Sequence, residues 1–415
     1  MHYVNSGECI VLMGSNNDIL MVDCGDTASG SLSRIMSRYS RADSRSLILT
    51  HYELDELNIL MKLFKIKPDY FNSIFFPISP CDKKGRPLLL EFALFVFAFY
   101  LKKDEFRYQN EFLLRIFGEI IEKSKTKRIS VLKEGSLFNF DGVEYDVLWP
   151  KENNYRFTDL FVSAVDDMDV LLSSPFQPKE AHEFLNLKKE FCSAYLSSVK
   201  SKDVNINEIT HMNTILNSIL KLKPKLRLLP NAPDVTEILE RPSTHTSYAH
   251  EICTSSLIFQ NKRKSEASTD DILMTGDASP ESLDAVADKL YDGYYILKAP
   301  HHGVSGAWSH LFNEISASHI LISNGNNRLY GNISEEYTEL SSIKHCTDCT
   351  GCSWYLRGGC SCNRLNCCYE LSPPGLSVKC PFCGGLKNVS PCKIYVVSSS
   401  GRSSCLCDGK PININ

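Results

Sequence analysis

Side chains that could bind metal ions occur in two segments of the chain that are far apart. The first segment runs from residue 51 to residue 56, and the second begins at a Thr-Gly-Asp turn and ends at a His-His-Gly sequence. Together they contain His51, Glu53, Asp55, Glu56, Asp277, His301 and His302. Imidazole nitrogens and carboxylate oxygens are common ligands of divalent metals in catalytic sites. These residue types therefore predict a metal centre built from both segments.

A short apolar stretch typical of a β-strand precedes each group of candidate ligands. Such stretches end at residues 50, 274 and 300, immediately before the first histidine, the Thr-Gly-Asp turn and the histidine pair. Strand ends hold ligands rigidly, and neighbouring glycines let the chain approach an ion closely. The sequence therefore predicts that the centre lies at the edge of a sheet.

The charge of the acidic residues indicates how many ions the centre would hold. In an extended segment, alternate side chains lie on the same face, so those of His51, Glu53 and Asp55 would point in one direction. With Glu56 and Asp277, the four acids carry four negative charges. Carboxylates held together repel one another unless cations compensate them. We therefore expect two divalent ions.

In this order, the motifs resemble the metallo-β-lactamase superfamily, and they are most similar to the domains attached to bacterial DNA-uptake channels. The resemblance extends to residues 21–26, 129–150 and 320–332, which look like the family's first Asp motif, its hairpin, and its last strand with the exit loop. It implies an α/β fold in which residues 1–340 form an αββα sandwich. Related domains also occur in bacterial defence systems.

The resemblance also implies metal-dependent hydrolysis, with a phosphodiester bond of nucleic acid or of a nucleotide as the expected substrate. In such a centre Asp277 bridges two divalent ions, and His51 and Glu53 hold one of them. Water activated between the ions attacks the phosphorus. Asp55 and Asp277 are the expected catalytic residues, and Asp23 is expected to support the site through hydrogen bonds.

The second ion is expected to be held by Asp55, Glu56 and either His301 or His302. Here the chain departs from the family, which has a histidine where this sequence has Glu56. A carboxylate is a harder ligand than an imidazole in the acid–base sense. Its presence favours manganese or magnesium over zinc. The retained acids favour a working hydrolase. The departures favour the alternative, a catalytically silent binding or scaffolding module.

Two insertions into the sandwich, at about residues 81–128 and 151–248, are expected to be helical. The apolar run at residues 87–101 predicts a buried helix, and it is too short to span a bilayer. Basic runs in both insertions are either solvated helix faces or part of a lid that steers a polyanion towards the metals. The N-terminus has no pattern typical of a signal peptide, so we predict a cytoplasmic protein without a membrane partner.

Other residues near these motifs could supplement the site. A third imidazole could come from His245, His250 or His310, and His250 is the best placed because it is expected to open a strand over residues 250–259. Lys298, just before the histidine pair, is interpreted as a strand-end lysine whose ammonium group reaches solvent.

Most of the cysteines lie close together near the end of the chain, in residues 341–415. They are Cys346, Cys349, Cys352, Cys360, Cys362, Cys367, Cys368, Cys380, Cys383, Cys392, Cys405 and Cys407. Cys-x-x-Cys spacing puts two thiolates on one ion, and tetrahedral zinc takes about four ligands. We therefore expect a small module stabilised by structural zinc, with a disulfide module or an iron–sulfur cluster as alternatives. The module is a candidate site for nucleic acid or for a protein partner, with a purely structural role as the alternative.

Changing Cys383 to serine should release about one zinc ion per chain and unfold this module locally, because a lost thiolate leaves the ion incompletely coordinated. Elemental analysis of the full-length protein measures the loss, and Cys192→Ser is the control outside the module. Complete folding of the isolated segment 341–415 in chelator and reductant would show that the module does not depend on zinc.

Overall fold

The computed structural model describes residues 7–14, 17–25, 36–37, 39–126, 128–201, 203–263, 271–323 and 333–346, and four short strands between residues 377 and 405. The side chains of residues 54–59, of residue 338 and of those beyond 342 lie outside this description. Within the described ranges, the chain forms two large mixed β-sheets with helices packed around them, and residues 377–379 and 386–388 form a two-stranded antiparallel sheet.

The strands are short, and many of them are followed by a turn or a loop. In chain order they are β1 (Ile10–Met13), β2 (Ile19–Val22), β3 (Arg45–Ile48), β4 (Ser73–Pro77), β5 (Arg128–Leu132), β6 (Leu137–Phe140), β7 (Val143–Trp149), β8 (Ile258–Asn261), β9 (Ile272–Met274), β10 (Gly293–Lys298), β11 (Ser316–Ile322), β12 (Ile343–Cys346), β13 (Ser377–Lys379), β14 (Leu386–Asn388), β15 (Ile394–Val397) and β16 (Arg402–Cys405).

The two large sheets each combine parallel and antiparallel strands. Their strand orders are β16-β15-β1-β2-β3-β4-β5 and β12-β11-β10-β9-β8-β7-β6. In the first sheet β2, β3, β4 and β5 are parallel neighbours. In the second sheet β9, β10, β11 and β12 are parallel neighbours. Parallel strands end at the same edge of their sheet, so the loops after β2 and β3 are neighbours, as are those after β9 and β10.

Aromatic side chains join the two sheets face to face. The ring centroid of Phe75 on β4 lies 5.8 Å from that of Phe138 on β6, and Phe138 stacks on Tyr145 of β7 at 5.0 Å. Buried residues of both sheets and of the helices form one continuous hydrophobic core. The α/β class predicted from the sequence is therefore confirmed, and the packing is compatible with an α/β sandwich.

Helices occupy both of the predicted insertions. The helices are α1 (Leu54–Ile66), α2 (Leu88–Phe99), α3 (Glu105–Lys123), α4 (Asp159–Ser173), α5 (Lys179–Ser198), α6 (Ile206–Leu226), α7 (Ala232–Glu240), α8 (Pro242–Thr254) and α9 (Pro280–Asp284). Helices α2 and α3 lie in the first insertion, and α4 to α7 with most of α8 lie in the second. Among the described residues, no helix has both the length and the apolar character needed to cross a membrane.

Helix α2 is apolar on nearly every face, and all of its residues are buried. Such a helix is stable only when other elements enclose it. Its one charged residue, Glu91, accepts a hydrogen bond from Lys188 of α5 at 2.5 Å, and Lys188 also bonds to Asp169 of α4 at 2.9 Å. The insertions are therefore part of the packed interior of the domain.

The expected strand over residues 250–259 is wrong, because α8 continues to Thr254 and places His250 in a helix. Only Ile258–Asn261 forms the strand β8. A short apolar run does not distinguish the buried end of a helix from a strand, and this ambiguity explains the error. The strand at residue 320 is also not the last in its sheet, because β12 pairs with β11 in parallel.

Parts of the cysteine-rich segment contribute strands to both large sheets. Strand β12, which ends at Cys346, extends the second sheet beside β11. Strand β15 pairs in parallel with β1, and β16 pairs with β15. The division of the chain at residue 340 stays a prediction.

Phe95→Ala should lower the free energy of unfolding by about 3–5 kcal/mol, because it removes a fully buried ring from α2 and leaves a cavity. Urea denaturation followed by circular dichroism measures the change. Phe176→Ala is the matched control, because this ring is 96% exposed and its loss should change stability by less than about 0.5 kcal/mol. Equal effects of the two substitutions would contradict the enclosed position of α2.

Candidate metal centre

The candidate ligands lie in loops that follow strands of both sheets. His51 follows β3 of the first sheet, and Asp277 follows β9 of the second. The histidine pair follows β10 and forms a single 3-10 turn, His301–Gly303. A backbone hydrogen bond of 3.2 Å from His301 N to the Gly276 carbonyl joins the two loops of the second sheet.

Asp277 lies at the centre of the cluster and is fully buried. Its Oδ2 atom lies 3.6 Å from His51 Nε2, 3.5 Å from His302 Nε2 and 4.0 Å from His301 Nε2. Glu53 Oε2 lies 3.7 Å from the same nitrogen of His51. Neither carboxylate oxygen of Asp277 forms a hydrogen bond within the described part of the chain. The structure therefore brings together five of the residues predicted from the sequence.

Hydrogen bonds at Nδ1 favour the tautomers of His51 and His302 that carry the proton on that nitrogen. His51 Nδ1 lies 2.9 Å from Thr50 Oγ1, and the Thr50 hydroxyl donates its proton to Asp23 Oδ2 at 2.7 Å. With Asp23 ionised and accepting, His51 Nδ1 donates to this hydroxyl. His302 Nδ1 lies 2.8 Å from the Ser323 carbonyl, which only accepts. Each ring thus presents the lone pair of its Nε2 atom to the buried carboxylate.

A lone pair that faces a carboxylate repels it unless a cation lies between them. Two ligands of one tetrahedral zinc ion, each about 2.0–2.1 Å from the metal, lie about 3.4 Å apart. The distances of 3.5 and 3.6 Å from Asp277 Oδ2 to His302 and His51 are close to this spacing. The buried acidic and histidine groups are therefore near enough to one another to bind a metal ion.

Lys298 supplies positive charge on the other side of Asp277. Its Nζ atom lies 3.5 Å from Asp277 Oδ1, donates to the Gly276 carbonyl at 2.5 Å and contacts the carboxylate of Glu8. Lys298 is 1% exposed, so the interpretation that its ammonium group reaches solvent is wrong. Strand β10 ends inside the sandwich at this point, and the side chain has a partner there.

Glu8 is a member of the cluster that the sequence did not indicate. It is 1% exposed, and its Oε1 atom lies 3.4 Å from His302 Nδ1. Its one signal in the sequence is an acidic residue directly before the apolar stretch that forms β1. Burial raises the pKa of Glu8, and the ammonium of Lys298 opposes the rise.

Burial and charge have opposite effects on the pKa values of the cluster. Burial raises the pKa of Asp277, whereas the positive charge of the adjacent imidazoles in their protonated form, above all His302, and the ammonium of Lys298 hold the pKa below its usual range. Burial lowers the pKa of His302 to about 4. Burial also lowers the pKa of Lys298, but nearby carboxylates reverse this and raise it. At neutral pH, Asp277 is ionised and His302 is neutral, as metal binding requires.

The backbone adopts the left-handed conformation at several residues of the site that are not glycine. The φ angles are 55° at Asp23, 43° at His301 and 58° at His302. This conformation costs L residues roughly 1 kcal/mol or more, and it persists only where the surroundings impose it. Gly303 continues the turn with a φ of 77°, and a Cβ there would lie 2.9 Å from Ile322. The strained turn presents both imidazoles to the cluster.

The expected alternation from His51 to Asp55 is wrong, because α1 begins at Leu54. Glu53 is the last extended residue before the helix. After it, side-chain directions repeat with the period of a helix and no longer alternate as they do in a strand. Asp55 and Glu56 lie in the first turn of α1, where the helix dipole favours acidic residues. Their side chains lie outside the described part of the structure, and their role as metal ligands stays a prediction.

The three other histidines considered from the sequence have different surroundings. His245 stacks on Phe106 with ring centroids 3.8 Å apart. His250 Nε2 lies 3.3 Å from Thr254 Oγ1, and His310 is exposed. Among the described residues, none of them belongs to a group of potential metal ligands.

The side chains of the predicted zinc ligands in the C-terminal segment lie outside the described part of the structure. The backbones of Cys346 and Cys405 lie in β12 and β16. The remaining cysteines lie outside the described residues; they are Cys349, Cys352, Cys360, Cys362, Cys367, Cys368, Cys380, Cys383, Cys392 and Cys407. Zinc binding by this segment stays a prediction.

Neither a protein-family model nor a curated protein matches this sequence. The resemblance to the metallo-β-lactamase superfamily therefore stays a prediction from the motifs.

Thr50→Val should weaken metal binding by about 10- to 100-fold, because it removes the hydroxyl that fixes the ring of His51 through Asp23. Titration calorimetry of metal-free protein measures the affinity, and circular dichroism checks that the fold is kept. Thr50→Ser is the matched control, because it retains the hydroxyl and should stay close to the wild-type affinity. A Thr50→Val protein with wild-type affinity would contradict this role.

Proposed function

We propose that this chain is a metal-dependent hydrolase of the metallo-β-lactamase type, which cleaves phosphodiester bonds in nucleic acid or in a nucleotide. The observation that carries the proposal is the buried Asp277 carboxylate, whose Oδ2 atom lies 3.6 Å from His51 Nε2 and 3.5 Å from His302 Nε2. A cation held by Asp277, His51 and Glu53, whose ligand atoms lie within 4.8 Å of one another, would offset the negative charge there. Imidazole and carboxylate together form the donor set of hydrolytic metal centres.

The cluster has an enclosed side and an open side, which supports a catalytic role over a purely structural one. His51 and His302 are each 1% exposed, whereas the side chains of Glu53 and His301 are 31% and 36% exposed. A structural metal site is closed by protein ligands, but a catalytic site keeps a position for water or substrate. We expect substrate to approach from the side of Glu53 and His301.

The residues of this chain would have distinct roles in the reaction. Divalent ions in such centres supply an activated water and offset the charge that develops on the phosphoryl oxygens. Asp277 would serve as the shared ligand, because several imidazoles converge on its Oδ2 atom. Asp23 and Thr50 would hold the ring of His51 in place. Lys298 would neutralise the Oδ1 side of the shared carboxylate.

The substrate class follows from the resemblance to DNA-uptake domains, which supports a nucleic acid or a nucleotide. A phosphodiester carries a negative charge, so an uncompensated cluster of acids would repel it. Bound cations would reverse that repulsion, and the same ions would therefore serve binding and chemistry.

Asp277→Asn should abolish both core metal binding and phosphodiesterase activity, because a neutral amide neither bridges two cations nor balances the ammonium of Lys298. Elemental analysis of full-length protein measures the metal. Hydrolysis of bis(p-nitrophenyl) phosphate, and of single-stranded DNA, measures the activity. Asp284→Asn is the control, because Asp284 is an exposed carboxylate on the nearby helix α9.

The outcomes separate the hydrolase from the catalytically silent module. A core that holds metal and cleaves either substrate, with both properties lost in Asp277→Asn, supports the hydrolase. If the core takes up none of zinc, manganese, magnesium and cobalt, the proposal fails. Metal binding without hydrolysis of either phosphodiester would favour the silent binding module.

A further inference from the structure

A second group of potential ligands lies on the open side of Asp277. Cys253 Sγ, an oxygen of Asp277 and a nitrogen of His301 all lie within 4.8 Å of one another. The ligand atoms of His51, Glu53 and Asp277 also lie within 4.8 Å of one another. Cys253 Sγ also lies 4.0 Å from Glu53 Oε1, so the thiol is next to ligands of both groups.

The fold holds Cys253 in this position from several directions. The residue is in the last turn of α8 and is 9% exposed. The carbonyl of the next residue accepts hydrogen bonds from Trp149 Nε1 at 2.6 Å and from Ser282 Oγ at 2.7 Å. The Leu257 amide then donates to the Thr50 carbonyl at 2.8 Å. These contacts join the end of α8 to both sheets and orient the thiol before any ligand binds.

A third group, formed by Glu8, Asp277 and His302, is also compact enough for an ion. Here, however, the ammonium of Lys298 contacts Glu8 and lies 3.5 Å from Asp277 Oδ1. A side-chain cation thus already supplies positive charge to this group. Among the described residues, no lysine or arginine contacts the ligand atoms of the other two groups in this way, so these groups are the ones that a metal would complete.

We propose that Cys253 is a thiolate ligand of a second metal ion, which it shares with Asp277 and His301. The proposal rests on the hydrolase centre described above and specifies its second ion. Asp277 would bridge that ion and the one held by His51 and Glu53. The thiol would release its proton to solvent when the ion binds.

A thiolate in the centre revises the expected metal preference. The preference for manganese or magnesium followed from a second site made of Asp55, Glu56 and one imidazole. Thiolate and imidazole ligands favour zinc and other late transition metals, whereas oxygen ligands favour magnesium and manganese. With Cys253 in the site, we expect zinc and cobalt to bind more tightly than magnesium or manganese.

Cobalt(II) provides the test, because a thiolate bound to cobalt adds a charge-transfer absorption in the near ultraviolet. Full-length Cys253→Ser, loaded with cobalt, should lose part of this absorption and about one cobalt ion per chain. Cys192→Ser, at a buried cysteine of α5, should keep both. The C-terminal cysteines are identical in all of these proteins, so the difference spectrum reports the substituted residue.

A second measurement leaves Cys253 unchanged. Wild-type protein is treated with iodoacetamide with and without cobalt, and tryptic peptides are examined by mass spectrometry. The peptide of residues 228–262 contains no other cysteine, so its alkylation reports Cys253 alone. Cobalt should slow this alkylation in the wild-type protein and should not slow it in Asp277→Asn.

Failure of this assignment is distinguishable from failure of the hydrolase proposal. If Cys253→Ser keeps the wild-type cobalt content and spectrum, and cobalt does not protect Cys253 from alkylation, then Cys253 is not a ligand and the hydrolase centre stands. If Asp277→Asn and wild-type protein bind equal amounts of cobalt, the core binds none, and both proposals fail.

Discussion

A carboxylate that is enclosed by protein is costly to ionise unless nearby positive charge compensates it. Asp277 has such charge on its Oδ1 side, where the ammonium of Lys298 lies 3.5 Å away. On its Oδ2 side it faces His51 and His302, which are neutral in the tautomers that their Nδ1 hydrogen bonds favour and then supply no positive charge. The negative charge of Asp277 is therefore balanced on one side only. The surrounding structure must hold the carboxylate and the imidazoles together despite this imbalance. The loops after three strands, β3, β9 and β10, place His51, Asp277 and the histidine pair next to one another.

Residues around the cluster hold the carboxylate of Asp277 and the imidazoles in positions that they would otherwise leave. The hydroxyl of Thr50 links Asp23 to His51 and keeps the imidazole in one tautomer. The helical insertions contribute as well, because they share the core with the sheets, and α8 ends beside the site. The left-handed turn at His301 and His302 is strained by itself, so it depends on this packing to persist.

The sequence predicted the parts of the site that local patterns encode. Apolar stretches followed by histidine or aspartate correctly placed His51, Asp277 and the histidine pair near one another, because the ends of β3 in one sheet and of β9 and β10 in the other meet where the two sheets pack together. The same reasoning failed at Asp55, where a helix start replaces the extended chain, and α1 could not be distinguished from a continued strand by so few residues. Glu8 and Cys253 join the cluster through tertiary packing. No local period connects residue 8 or residue 253 to residue 277, so the sequence pattern alone does not place either residue beside Asp277.

The residues of the cluster are spread from position 8 to position 302 of the chain. Contacts between such distant segments form late in folding, because long loops must close first. A complete metal site therefore exists only in molecules in which both sheets have formed and packed together. A bound ion would be coupled to the whole sandwich rather than to one loop. At free metal concentrations above the dissociation constant, it would raise the free energy of unfolding of the whole domain with the logarithm of that concentration, so the availability of metal would set the fraction of molecules that are folded.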